Sequence, residues 1–424
     1  MKIIRHFFPE LIPLLKQTKD HRHQSYIDYK NHVLLFTRIM ATVLRIESMR
    51  KITSELNTTI SIQNSGIVLE QDEETTDLPH WKTINDYLEK LEPSELEKII
   101  PQLVTRLTRM RTFENSRIRN KYWHIVVDAT HLYSFDERHC KHCLVKKFKD
   151  DAGNVVRHEY YHVVLEAKLV INQNIVISLS TEFVENEYSE VKKQDCELNA
   201  FYRLAKKLKK RFPRLPVCLG MDSLYACKPI FDLCQKNGWK YIIRFKDGSI
   251  KSIAEEFHTL KHLEPDNVWT KTEGKIQKTY RYVTGIQYQD HKLNIAECEQ
   301  SNLKYPFAFI TNFPLSKRNC EQLVSAGRSR WKIENEGFNE QKNHGLGLKH
   351  MFSENYNAMK NHYFLIQIGH MIAQLFEAGI RCLAALSKIP AVQIFMDLKE
   401  TFRTTILTDT DLDSINQNIR YRLQ

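Results

Sequence analysis

Apolar residues along this chain recur in different rhythms, and the changes between them divide it into regions. Up to about residue 120 the rhythm is helical. Phe36, Ile39, Met40, Val43 and Leu44 recur at spacings of three and four, which predicts a helix with one buried face. A second helical unit is expected from Trp81. There Ser94 and Glu97 have the form of a capping box ahead of Leu96, Ile99, Ile100 and Leu103, and Pro101 must kink or split the helix. Between the two units, residues 58–79 mix Gly, Asn, Asp and Glu with little periodicity and read as an exposed connector.

At Tyr122 the texture becomes β-branched and apolar. YWHIVVD reads as a buried strand closed by Asp128, and HEYYHVVLEAKLVINQNIVISLSTEFV supplies two or three more strands with Asn172 and Asn174 near a turn. Asp195 is placed to cap a helix running to Phe212, VCLGMD forms the next strand, a helix from Pro229 to Asn237 stops at Gly238, and WKYIIRF is again a strand. Strands alternating with helices predict an α/β sheet. Residues 247–304 return to alternation, as in YRYVTGIQY, with turn signals at Glu273-Gly274 and Gln289-Asp290. PFAFITN is a buried strand, and helical patterns follow from Lys317 to about Asn343 and from Asn355 to about Leu386. The expected organisation is an all-helical region at 1–120, an α/β core in two pieces at 121–246 and 305–390, a β-rich insertion at 247–304 and a C-terminal tail at 391–424.

Composition changes this picture little, except in charge. Apolar residues make up 42% of the 424, enough for a core. Lys and Arg outnumber Asp and Glu by 62 to 51, a net +11, which favours an anionic partner such as nucleic acid. The first twenty residues, interrupted by Pro9 and Glu10, do not read as a signal peptide, and the apolar stretch from Phe364 to Phe376 carries Gln367, His370 and Gln374. Neither is expected to span a membrane. Nine cysteines scattered from Cys140 to Cys382 point to a reducing cytoplasm.

Three carboxylates carry the candidate chemistry. Asp128 and Asp222 each end a buried strand, and open α/β sheets bind ligands at that edge. A lone Asp there is usually a turn initiator, so the pair matters more than either member. Glu334 lies in RSRWKIENEGFNEQKNH, a helix expected to turn Trp331, Ile333 and Phe338 inward while Arg328, Arg330, Glu334 and Lys342 stay available. Phosphodiester cleavage with two magnesium ions needs such hard oxygen ligands, with basic side chains beside them to hold phosphates.

RSRWKIEN at 328–335, preceded by PFAFITN and followed by Lys342, closely resembles the last catalytic segment of the DDE transposases of bacterial insertion sequences. More narrowly it is similar to the insertion-sequence-four-like branch, whose signature is Tyr, two residues, Arg, three residues, Glu, six residues, Lys. Arg330 and Glu334 match. The Tyr position is Gly327, and the Lys position is Gln341, with Lys342 one step later; Glu336 offers an alternative register to Lys342. MDSLYA and WKYIIRFKDGS are also typical of that branch, and the resemblance covers residues 122–386. It implies a ribonuclease-H-like core with the first Asp on the first strand, the second after the fourth and the Glu on a late helix beyond a β-rich insertion. It further implies a DNA-binding N-terminal region, Asp128, Asp222 and Glu334 as ligands of two Mg2+ ions (Mn2+ able to substitute), and a homodimer bridging two transposon ends for cut-and-paste transposition. The competing readings are a ribonuclease-H-like nuclease without strand transfer and a transposase-derived DNA-binding protein that has lost catalysis.

The remaining motifs have bland and sharp readings. HCKHC places Cys140 and Cys143 at zinc-knuckle spacing with His139 and His142 beside them. A zinc site would need completing ligands, for which His158 and Cys196 are candidates, and with no second Cys-x-x-Cys the favoured reading is reduced loop cysteines. Asp195 and Glu197 read as helix-start carboxylates, with an auxiliary place near the metals as the alternative. Asp136 and Glu137 read as surface charge. Arg106, Arg109, Arg111, Arg117, Arg119 and Lys121 lead into the first strand and are expected to meet DNA phosphate, as could the face Lys206, Lys207, Lys209, Lys210 and Arg211. Trp331 is expected in the core rather than as a stacking platform for an extruded base.

Overall fold

The computed structural model describes residues 1–70, 76–171, 174–383, 388–408 and 411. Ten strands form one mixed sheet: β1 (Trp123–Phe135), β2 (Leu144–Lys149), β3 (Val155–Val170), β4 (Val176–Val184), β5 (Val217–Met221), β6 (Lys240–Phe245), β7 (Val268–Glu273), β8 (Ile276–Tyr288), β9 (His291–Gln300) and β10 (Phe307–Thr311). Their order is β2-β3-β1-β5-β6-β10-β9-β8-β7, with β4 also beside β3. Only β1–β5 and β5–β6 pair in parallel. Helices Glu197–Arg211 and Lys228–Asn237 flank β5 in the chain, as crossover connections between parallel strands require. The second stops where expected, with Gly238 in the left-handed region at φ 69°.

β1 and β3 are long, and each does two jobs. β3 pairs with β1 along one edge, while its other edge takes β2 against residues 155–161 and β4 against residues 163–170. The strand therefore does not close at Asp128, as the sequence suggested, but runs on to Phe135. What ends earlier is the parallel pairing of β1 with β5, at Val126↔Gly220. Asp128 thus still sits at the carboxyl edge of the parallel ladder, on a strand that an antiparallel neighbour carries further. The expected β-rich insertion is continuous with the sheet, since β9 pairs with β10, and it also contains a helix, Lys251–Leu260.

Several local expectations change. Residues 59–69, read as connector, form a helix capped by Thr58, whose side chain accepts from the Ser61 amide. The proposed capping box is not used: Ser94 lies inside Pro93–Glu97, whose N-cap is Glu92, and the chain re-enters helix at Ile99–Arg109 with Pro101 in the first turn, where a missing N–H costs nothing. Helix Asn31–Val43 is buried on all sides rather than on one face. It packs against the long helix Tyr356–Arg381, and the two approach closely at Gly369, where a Cβ would stand 2.7 Å from that of Thr42. The cap at 197–211 is Cys196, not Asp195, whose carboxylate instead binds Arg203 at 2.6 Å. Residues 391–404, read as tail, form a helix that buries Ile394 and Phe395. Asn172 and Leu386 lie outside the described residues. The largest apolar core runs from the N-terminal helices across one face of the central strands to Leu375, and the opposite-facing residues of those strands form two smaller clusters, one with Cys218, Ile242 and Phe309 and one with Val126, Ile333 and Phe338. Among the described residues no helix is long and apolar enough to cross a membrane.

Candidate active site

The segment carrying Glu334 is not a regular helix. Cys320–Arg328 is α-helical, Ser329–Trp331 tightens to 3-10 geometry, Ile333–Asn339 widens to a π-helix and Glu340–Asn343 returns to α. Such π-turns are rare and recur at functional sites. Two glycines seat the segment on the sheet: a Cβ on Gly327 would fall 2.6 Å from the Phe309 ring, and one on Gly337 would lie 3.3 Å from Cδ of Lys168. Ile333 and Phe338 are buried as expected, but Trp331 is 60% exposed, so the expectation of a core tryptophan fails.

This seating brings the first and last carboxylates together. Arg330 donates from Nη1 to Oδ2 of Asp128 at 2.5 Å, and its Nη2 forms an ion pair with Oε1 of Glu334 at 3.0 Å. Burial pushes the Asp128 carboxyl up to about 7; Arg330 pulls against this, and the charge and hydrogen bond of Glu334 push with it. Asp222 follows β5 and accepts from the Leu224 amide at 2.8 Å, opening a short 3-10 turn. Tyr225, in that turn, is buried and donates to Oε1 of Glu197 at 2.7 Å; burial raises its hydroxyl pKa, and the charges of Glu197, Asp222 and Asp128 raise it further. Glu197 is itself shifted up, first by burial, with the Asp222 charge adding and Tyr225 and Arg330 opposing. Negative charge is therefore gathered in two linked pairs, Asp128 with Glu334 around the Arg330 guanidinium and Asp222 with Glu197 around Tyr225. Sequence reasoning favoured a helix-start charge for Glu197 and kept a place near the metals as the alternative. The signal that could have raised it was MDSLYA, which puts a tyrosine three residues beyond Asp222.

Hard carboxylate oxygens are what a divalent cation takes, and the Arg330 guanidinium between Asp128 and Glu334 marks a place where positive charge is required. Among the described residues these carboxylates do not bring three ligand atoms within 4.8 Å of one another, so Asp128, Asp222 and Glu334 would have to draw closer to share an ion.

The other expected residues separate into three groups. Lys342 donates from Nζ to Oγ1 of Thr130 and to the carbonyl of His131, each at 2.7 Å, so it lies along β1 just past Asp128. Gln341 is fully buried, donating to Gln367 at 2.8 Å and lying 2.9 Å from His370. The alternative Glu336 lines a cleft of about 1250 Å3 with Arg117, Arg318, Arg328, Trp331 and Lys332. None of the three carboxylates lines this cleft, which takes Trp331, Lys332, Asn335 and Glu336 from the segment that carries Glu334. Arg328 lies over the Phe307 ring and Arg117 over Trp123. Arg119 sits in a positive-φ turn beside Lys240 and outside the cleft. The face at 206–211 is largely consumed internally, because Lys207 pairs with Glu97 and Glu182 and Arg211 with Glu97. Arg106 likewise pairs with Glu10. His124 also borders the cleft, its Nδ1 3.2 Å from Oγ of Ser329 and its buried Nε2 without a partner; burial holds its pKa down at about 4.

The Transposase DDE domain model matches residues 119–372, more than half of the chain. The chain belongs to the DDE transposase family. The match spans β1, Asp128, Asp222 and the irregular segment with Glu334. No curated protein matches the transposase chain. Among solved structures, a piggyBac transposase synaptic complex with hairpin DNA aligns over 98% of this chain and 84% of that one, at a TM-score of 0.39 and 10% identity, a level at which shared topology is not established.

Proposed function

We propose that this transposase cuts a strand at the end of a mobile element and joins the freed 3′-hydroxyl to target DNA within a single site, the cut-and-paste route of the insertion-sequence-four-like branch. The core is read as ribonuclease-H-like: β1 lies between antiparallel β3 and parallel β5–β6, with carboxylates on β1 and just beyond β5. The observation that carries the reading is the bridge of Arg330 between Asp128 and Glu334, residues from opposite ends of the family match.

Asp128, Asp222 and Glu334 would hold two Mg2+ ions, with Mn2+ able to substitute. Bound there, the ions supply Lewis-acid stabilisation of attacking and leaving oxygens in an in-line displacement. Arg330, beside Asp128 and Glu334, would orient the scissile phosphate, and Lys342, past Asp128 on β1, would hold a neighbouring one. Arg117 and Arg328, with the exposed Trp331, would give DNA a basic track next to the segment that carries Glu334, and Arg119, beside Lys240, would meet phosphate outside that cleft. Two copies would bridge the two ends.

The test offers the element's terminal sequences and a target plasmid to the purified protein with Mg2+. Cleaved ends and joined product are expected from the wild type. Asp128→Asn should abolish both, by at least about 10³-fold, while binding of end DNA stays unchanged. Cleavage without any joined product would assign a nuclease instead. Cleavage surviving in Asp128→Asn would dismiss the site.

A further inference from the structure

Beyond the carboxylates, HCKHC in the connection between β1 and β2 is completed in space by a residue no local spacing indicated. His162, on β3, brings Nε2 to 3.5 Å from Sγ of both Cys140 and Cys143, whose sulfurs are 3.5 Å apart. His139 is the fourth member, and one ligand atom from each of the four lies within 4.8 Å of the others. The ligands suggested by sequence are not there: His158 is exposed further back on β3, opposite Lys147, and Cys196 is the exposed cap of helix Glu197–Arg211. His142 is committed elsewhere, its Nδ1 2.8 Å from the Asn186 carbonyl and its ring stacked on Tyr356.

We propose that His139, Cys140, Cys143 and His162 form a structural zinc site. A tetrahedral ion with Zn–S near 2.3 Å and Zn–N near 2.1 Å requires ligand atoms roughly 3.4–3.8 Å apart, and the separations among the two sulfurs and His162 Nε2, each 3.5 Å, fall in that range. The sulfurs are too far apart for a disulfide, whose bond is about 2.05 Å. Both ring nitrogens of His139 are shielded from water and without a hydrogen-bond partner, a demand that a metal bond at one of them meets. Two thiolates and two neutral imidazoles around Zn2+ sum to zero charge, which suits the buried position of Cys143 and His162. On binding, each thiol gives its proton to solvent and no electron is transferred. The surroundings are already ordered: the Cys143 carbonyl accepts from Nδ2 of Asn186 at 3.0 Å, and His139 packs on Phe135. Four protein ligands leave no open position, so the ion pins the turn after β1 to β3 and takes no part in the chemistry at Asp128.

The test is metal analysis of the full-length protein purified without chelator, with X-ray absorption at the zinc edge. About one zinc per chain, in a first shell of two sulfurs and two nitrogens, is expected. Paired Cys140→Ser and Cys143→Ser should weaken zinc binding beyond the roughly 10–100-fold that loss of an outer partner costs, while His158→Ala and Cys196→Ser leave it unchanged. Zinc-free wild type, a shell of other composition, a Cys140–Cys143 disulfide in the isolated protein, or full zinc retention by the double variant each overturn the proposal. The absorption measurement on the wild type decides the matter even if that variant fails to fold.

Discussion

Gly327 shows what a single position decides. The branch signature calls for Tyr there, yet the segment reaches its place only because the backbone lies flat against Phe309, 2.6 Å from any Cβ. Gly327→Tyr, although it restores the family pattern, is therefore expected to destabilise by roughly 1–3 kcal/mol or more through overpacking, read as a lowered thermal midpoint. An unchanged midpoint would refute the packing account. Asp128 makes a second prediction. Its folded pKa, about 7, lies above its ordinary value of 3.8, so between those values the native state holds a proton that the unfolded chain has released. Without metal, that contribution to stability is full below 3.8 and is lost as pH rises through about 7. Denaturant midpoints of the wild type should fall across that window relative to Asp128→Asn; parallel profiles would show the carboxyl to be ordinary. Trp331 and Glu197 teach the opposite lesson from Gly327. Their types were visible, but burial of one and the charged neighbours of the other depend on chain far away.

The decisive element is the π-helix at Ile333–Asn339. Each i→i+5 turn accommodates one residue more than an α-turn, and on the proposed branch reading the lysine at 342 stands one place beyond the signature position. On that reading the widened turn would absorb the extra residue; Gln341 joins the buried network with Gln367 and His370 while Lys342 reaches Thr130 and His131. Lys342→Gln should lower strand cleavage by about 10²–10³-fold with little change in thermal midpoint. Gln341→Lys, which returns the lysine to the signature position, should cost about 3–5 kcal/mol by burying an unpaired charge. If Gln341→Lys were stable and rescued Lys342→Gln, the register argument would fail. Strand texture was legible at this scale because alternation and β-branching act locally. Neither the run of β1 past Asp128 nor the helix at Thr59–Leu69 was, since a partner strand sustains one and packing against Ala391–Thr404 supports the other.

Across the whole molecule, a net charge of +11 is divided unevenly. Arg106, Lys207 and Arg211 are spent on internal carboxylates, whereas Arg117 and Arg328 line the long cleft beside the active-site segment. Affinity for DNA should fall steeply with salt. Arg117→Ala and Arg328→Ala should each reduce the slope of log affinity against log salt by about 0.9, and Lys206→Ala on the helix at 197–211 should not. Equal slopes in all three variants would place DNA on another face.

The alternation of strands and helices between Tyr122 and Phe245 and the DDE transposase family could be read from the chain alone, because periodicity, turn chemistry and a short signature are properties of neighbouring residues. The tertiary structure alone decided which groups meet: Arg330 between Asp128 and Glu334, Glu197 drawn to Tyr225 beside Asp222, and His162 rather than His158 facing the two cysteines. A strand turns successive side chains to opposite faces, so which histidine of β3 meets the cysteines is fixed by pairing register and by neighbours distant in sequence, and no local pattern carries that information.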